Sequence, residues 1–296
     1  MRQTHSTLKS IYLTGLCAAL LGLGACSSGT EAPGSSQSGD QAAQTVTSTS
    51  LASVISHPRR AKDSARDQFR HPLETLEFFE VGPGKAVTEI WPGWYSDILA
   101  PYMAANGGAY TAATLPVSLE GKYGKAAQAF VEKYSDVEVY GNVSFTEFFK
   151  DSYAIAPAGS QDVVLTFRNV HNWMKSGYEN EAFKSFYDAL KPGGILGIVE
   201  HRLPESATQD PKGGSGYVQE SYMKALAADV GFEFVGASEV NANPRDTADH
   251  PFGVWTLPPR SRLPKDDDPN KDEFDAQGYV NIGESDRATL KFRKPL

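Results

Sequence analysis

The sequence predicts an α/β domain built on a largely parallel sheet, and three observations carry that prediction. Short β-rich runs alternate with stretches of helical spacing, turn chemistry falls between them, and one run, DVVLTF at 162–167, is apolar enough to be buried on both faces.

Taken in order, the pattern over 54–79 is helical. Pro72 stands where a first helical turn tolerates proline, and Leu73, Leu76 and Phe79 recur at intervals of three, so two short helices precede the sheet. The turn Val81-Gly-Pro-Gly84 leads into a first strand at 86–90, and a Pro-Gly turn then leads into a helix that begins at Ser96-Asp97. Residues 109–113 read as a strand, 123–134 as a helix, 137–140 as a short third strand and 162–167 as the fourth. A helix at 181–190, the turn KPGG, a strand at 195–200, a helix at 217–230 and a strand at 232–240 continue the rhythm.

Between Val240 and a last β-like run, ATLKFRKP, lie more than forty residues rich in Pro, Asp and Asn without periodicity. So long a connection inside a domain implies a lid. Phe252, Val254, Trp255 and Leu257 sit among prolines, giving it apolar anchors and a restricted unfolded chain. Residues 241–286 are therefore expected to close over the strand ends, with Asp246, His250 and Trp255 as lid residues and with Arg245, Asp246 and His250 brought beside Arg168 and His171.

Ahead of the domain, Arg2 and Lys9 precede an apolar run at 11–23, too short for the roughly 20 residues of a bilayer crossing, so 1–25 read as a secretory signal. Leu23-Gly-Ala-Cys26 resembles the lipobox of bacterial lipoproteins. That resemblance implies a lipid anchor on Cys26, export to the periplasmic side and, since Ser rather than Asp follows the cysteine, the outer membrane. Residues 26–50 are Ser, Gly, Thr and Gln with almost no large apolar side chain, a flexible tether to the folded domain at 51–296.

Cys17 and Cys26 are the only cysteines, so the domain has no thiol for a disulfide, a metal or a nucleophile. Without residues 1–25, 26 basic residues face 36 acidic ones, a surface that repels nucleic acid. No metal is expected: Glu200 and His201 with Asp246, Asp249 and His250 suit Zn or Mn in type, but loop residues separated by a whole domain are not assembled into a ligand set by sequence.

Two segments, VTEIWPG at the first strand and ALKPGGILGIVEHR at 189–202, resemble class I S-adenosylmethionine-dependent methyltransferases. More narrowly, TFRNVHNW, NANPRDTADHP followed by GVWTLPP, and GESDR with LKFRKP resemble a group of exported bacterial proteins labelled as methyltransferases. The resemblance implies a Rossmann-like sheet of seven strands with the last antiparallel, and adenosylmethionine above the first strand ends. It puts Glu89 near the methionine end of the cofactor, Gly93 at the close backbone approach, Trp91 and Tyr95 in the same loop, and Thr114 where the family carries a ribose-binding acid. The sequence departs from the family in two places: bulky rings replace loop glycines, which sets Trp94 against the cofactor's space, and the second strand ends without a carboxylate. Glu89 has a second reading, as a strand residue accepting bonds from neighbouring amides.

An open parallel sheet binds ligands beyond the carboxyl ends of its strands. There the cluster Arg168-Asn169-Val-His171-Asn172 offers a proton acceptor in His171, with Arg168 and Asn169 to position a substrate, or else a structural histidine. The leading expectation is methyl transfer to a small-molecule acceptor in the cell envelope. A ligand-binding protein on the same scaffold, its cofactor site filled by Trp91, Trp94 and Tyr95, and a cofactor-independent envelope enzyme are the alternatives.

Overall fold

The computed structural model describes residues 48–269 and 271–296, so the signal segment, Cys26 and nearly all of the tether lie outside the described residues. Among the described residues eight strands occur: β1 (Ala86–Ile90), β2 (Ala109–Thr114), β3 (Val143–Glu147), β4 (Gln161–Phe167), β5 (Leu190–His201), β6 (Glu233–Ser238), β7 (Pro251–Val254) and β8 (Arg287–Arg293). Seven form one sheet in the order β3-β2-β1-β4-β5-β8-β6, and β7 stands outside it. The pairs from β3 to β5 are parallel, while β8 runs antiparallel to both β5 and β6. This is the predicted mixed sheet, and the strand order reverses between β1 and β4.

Apolar layers cover both faces. On one, Trp173, Phe183 and Phe186 pack over Val164, Leu196 and Ile198; on the other, Leu76, Phe79, Ile98 and Leu99 pack over Leu165, Ile195 and Val199. The alternation along β5 is the period of two that a strand buried on both faces requires. Gly197 is part of this packing, because a Cβ there would come within 2.6 Å of the Phe79 ring.

The structure corrects the third strand. Val137–Tyr140 is a turn of helix, because the Asp136 side chain accepts from the N–H groups of Glu138 and Val139, and Gly141 ends it at φ 69°. The true edge strand, β3, follows it; half-exposed, it carries a weaker apolar pattern than its neighbours. The helix expected from residue 217 begins at Glu220, since Tyr217 and Val218 are buried in the preceding loop and Val218 N–H bonds the carbonyl of His201. The segment expected to be irregular contains β7 and a short helix, Ala276–Ile282, the latter capped by Asp275.

Candidate functional site

The carboxyl ends of β1 and β4 hold two non-glycine residues in the left-handed region, Trp91 at φ 47° and Arg168 at φ 64°. Such conformations cost about 1–3 kcal/mol each and persist only where surrounding structure enforces them. Here the enforcing bonds run across the sheet, from Trp91 N–H to the carbonyl of Ala113 and from Arg168 N–H to that of Val199. The Trp91 backbone has the conformation a glycine adopts freely, and its ring takes the space a glycine leaves open.

That ring is held by its Nε1, which donates to the carbonyl of Phe148 at 2.8 Å, and by edge contact with Trp173. It borders two cavities. One, of about 220 Å³, is walled by Pro92, Thr114, Leu115, Tyr123 and Phe130; the other, of about 330 Å³, by Arg168, Asn169, His171, His201, Trp255 and Arg287 among others. Trp94, expected to intrude on the cofactor's space, points elsewhere. It lies between the guanidinium groups of Arg60 and Arg70, whose carbons are 4.7 and 4.8 Å from the ring centre, and donates to the carbonyl of Asp63.

Glu89 is buried beneath the loop. It accepts from Gly93 N–H at 3.2 Å, Ser96 Oγ at 2.9 Å and Tyr110 Oη at 2.7 Å. Burial pushes its carboxyl up to about 7 in spite of these bonds from Tyr110, Ser96 and Gly93. Glu89 therefore shapes the loop from below, which is its second sequence reading. Gly93 faces open space on the other side, where an added Cβ would meet nothing within 4 Å. Tyr95 is a core residue: its ring stacks on Phe167 at 3.8 Å, its hydroxyl donates to the carbonyl of Arg70, and burial pushes the phenol up to about 12. Thr114 uses its hydroxyl on the carbonyl of Thr146 at 3.3 Å.

His171 opens the helix Val170–Ser176 after β4, and its Nδ1 lies 3.1 Å from Glu200 Oε1 at the end of β5. Glu200 is fully buried and also accepts from the N–H groups of Val170 and His201. With Glu200 accepting a hydrogen bond from Nδ1–H, the tautomer leaves Nε2 of His171, a residue that lines the larger cavity, as the acceptor nitrogen. His201, 5.6 Å away ring to ring, is bonded to Ser285 Oγ at 2.5 Å; burial, then His171 and Arg287, hold it well below its ordinary pKa and so neutral. Asn169 ties β4 to β1, its amide donating to the carbonyl of Ile90 and the hydroxyl of Thr166. Glu200 was missed as a site residue, although an acid closing a buried strand in VEHR is its signal.

From the segment before β8, residues between Val254 and Arg260 stand at the larger cavity, whereas Arg245, Asp246 and His250 do not line it. Trp255 lies 6.0 Å from the His171 ring, and residues 254–260 contribute to the wall of the larger cavity. Asp246 and His250 bond each other at 2.8 Å, both side chains nearly inaccessible, and Asp246 also accepts from Tyr217 Oη and from the N–H groups of Ala248 and Asp286. Neither bonds Arg168 or His171 among the described residues. They staple the segment to the sheet, because a buried carboxylate is stable only when several donors surround it. Among the described residues no cluster of three His, Cys, Asp or Glu is placed to hold a metal, and no helix is long and apolar enough to cross a membrane.

The strand order, with β8 inserted antiparallel between β5 and β6, is the Rossmann-like seven-stranded arrangement the sequence predicts. No family model and no curated protein matches the chain. Solved structures that it resembles include a SAM-dependent methyltransferase from Aquifex aeolicus, 16% identical, covering 65% of this chain and 94% of that one at a TM-score of 0.46. Another is the 1,6-didemethyltoxoflavin-N1-methyltransferase of Burkholderia thailandensis, solved with 1,6-didemethyltoxoflavin and S-adenosylhomocysteine, 13% identical over 83% and 87% at 0.45. A third is an arsenic(III) S-adenosylmethionine methyltransferase from Chlamydomonas reinhardtii, 14% identical over 72% and 64% at 0.42.

Proposed function

We propose that the domain transfers a methyl group from S-adenosylmethionine to a small-molecule acceptor. The observation that carries this is the pair of cavities meeting at Trp91, at the point where the strand order of a methyltransferase sheet reverses. The smaller, with Thr114, Leu115 and Phe130, has the apolar walls that suit a nucleoside. The larger has the polar groups that suit the methionine end and the acceptor. When bound, the cofactor would supply an electrophilic methyl group. The chain's own part is to exclude water beneath Trp255 and residues 254–260, to position the acceptor, and to take its proton on Nε2 of His171 while Glu200 fixes the tautomer and steadies the resulting charge.

A second reading is favoured by two specific observations. No carboxylate stands at the end of β2 to take the ribose hydroxyls, and the Trp91 ring, bonded to Phe148, borders both cavities in the place of a loop glycine. On this reading the scaffold binds a ligand in the larger cavity without the cofactor. Calorimetric titration of the full chain with S-adenosylhomocysteine separates the two: saturable heat at micromolar to millimolar concentration supports methyl transfer, and none at millimolar concentration leaves the ligand-binding reading. We further propose that the protein is exported and anchored by lipid on Cys26, with the domain on the periplasmic side of the outer membrane. Incorporation of labelled palmitate into the wild type but not into Cys26→Ser is the test.

A further inference from the structure

The chain carries a formal charge of −8, yet no carboxylate lines the larger cavity, while Arg168, Arg260 and Arg287 do. Behind this wall three arginines converge on a single acid. Arg66 and Arg70 reach Glu284 through Nε at 2.5 and 3.4 Å, and Arg287 reaches it through Nη2. Burial alone would raise the Glu284 carboxyl, but Arg287, Arg66 and Arg70 hold it at about 2. With Arg168 there are four guanidinium groups and one carboxylate, an excess of three positive charges. The excess is felt: burial and then Arg168 lower Arg70 to about 8, and burial and then Arg287 lower Arg168 to about 10.

The donors of this cluster outnumber its acceptors. Nη1 and Nη2 of Arg70, Nη2 of Arg66 and Nε of Arg287 are buried without a partner. The half-buried Arg168 guanidinium donates to nothing among the described residues, and it stands on a backbone held at positive φ. Of these, Arg287 and Arg168 line the cavity, and because buried N–H groups are nearly always satisfied in a folded protein, their unused donors call for an acceptor from outside. The fork of donors on Arg168 matches two oxygens of one planar or tetrahedral anion, while Arg287, whose Nη1 and Nη2 already donate to the Phe69 carbonyl and to Glu284, adds its Nε.

We propose that the larger cavity binds an oxyanion, the carboxylate or phosphate of the acceptor molecule, on Arg168 and Arg287, with Arg66 and Arg70 supplying positive field from behind. His171 lines the same cavity, so the atom to be methylated lies close to that acid group. The oxyanion site stands by itself; giving the anion to the acceptor rests on the methyl-transfer reading, since the methionine end of the cofactor also ends in a carboxylate.

The test is calorimetric titration of the full chain with inorganic phosphate and with acetate at constant ionic strength. Saturable binding is expected to at least one anion. It should weaken about 10-fold or more in Arg168→Gln, the worth of one charge-assisted contact, return in large part in Arg168→Lys, and stay unchanged in Lys184→Gln on an outer helix. Absence of saturation, or binding indifferent to Arg168→Gln, overturns the proposal. Titration with S-adenosylhomocysteine in saturating phosphate separates the sources. Independent binding of the two supports the acceptor assignment, whereas mutual exclusion with equal weakening in Arg168→Gln gives the site to the cofactor and overturns that assignment. Phosphate binding without S-adenosylhomocysteine binding upholds the oxyanion site while removing the methyl-transfer reading.

Discussion

Trp91 and Phe148 are joined across the rim, indole Nε1 to main-chain carbonyl at 2.8 Å, and the indole so held borders both cavities. Trp91→Gly relieves a left-handed backbone, a gain of about 1 kcal/mol, but removes a packed ring worth about 3 kcal/mol or more. The melting temperature is expected to fall by roughly 4–8 °C. S-adenosylhomocysteine affinity is expected to rise about tenfold at the same time, read by calorimetry. A fall in affinity would mean that the indole is a platform for the cofactor and not a barrier to it.

Glu89 gives the stability a pH dependence of its own. Its folded pKa of about 7 lies above the ordinary 4.5, so between those values the folded chain holds a proton that the unfolded chain has released. Its contribution is therefore full below pH 4.5, declines as the pH rises, and levels off above 7, a change of about 3 kcal/mol. Urea unfolding from pH 4.5 to 7.5 should show that decline in the wild type and a flatter profile in Glu89→Gln, which keeps an acceptor for Gly93 N–H.

His171→Gln retains a donor for Glu200 but lacks a basic nitrogen on the cavity side. Turnover is expected to fall by about 10²–10⁴ with little change in melting temperature. Equal loss of stability and turnover would assign the histidine to the fold.

Asp246→Ala leaves His250, Tyr217 and two N–H groups without their shared acceptor, an expected cost of about 3 kcal/mol or more. Its effect should be local to the covering segment. In the wild type, residues 243–259 resist limited proteolysis while the exposed acidic stretch after Lys265 is cut. In the variant, cleavage near Trp255 appears as well.

The sheet was legible because its central strands are buried on both faces, and a continuous apolar run such as DVVLTF has few other interpretations. Its edge was not. Val137-Glu-Val-Tyr has β-rich composition, and only the flanking Asp136 and Gly141 decide for a helical turn. At the site, the place of Arg168 and His171 after β4 was legible, whereas the parts of Glu200, Arg66, Arg70 and Arg287 were not, because their meaning depends on convergence from residues as far apart as Arg66 and Arg287. Asp246 and His250 misled for the converse reason. Polar residues in a loop suggest a ligand, and here they bond one another and the loop's own backbone.

β8 lies between β5 and β6, so the outermost strand has nothing to pair with until a segment more than forty residues later in the chain has been made. That late segment also supplies Glu284, Ser285 and Arg287. Assembly of the sheet and of the cavity's charged wall is thus a single late event with high sequence separation, of the kind that slows folding. A ribosome that stalls before residue 284 releases a chain with five adjacent parallel strands, an unpaired β5 edge and a larger cavity without Arg287 in its wall. Quality control by proteases would meet an open edge on every molecule that lacks a complete site.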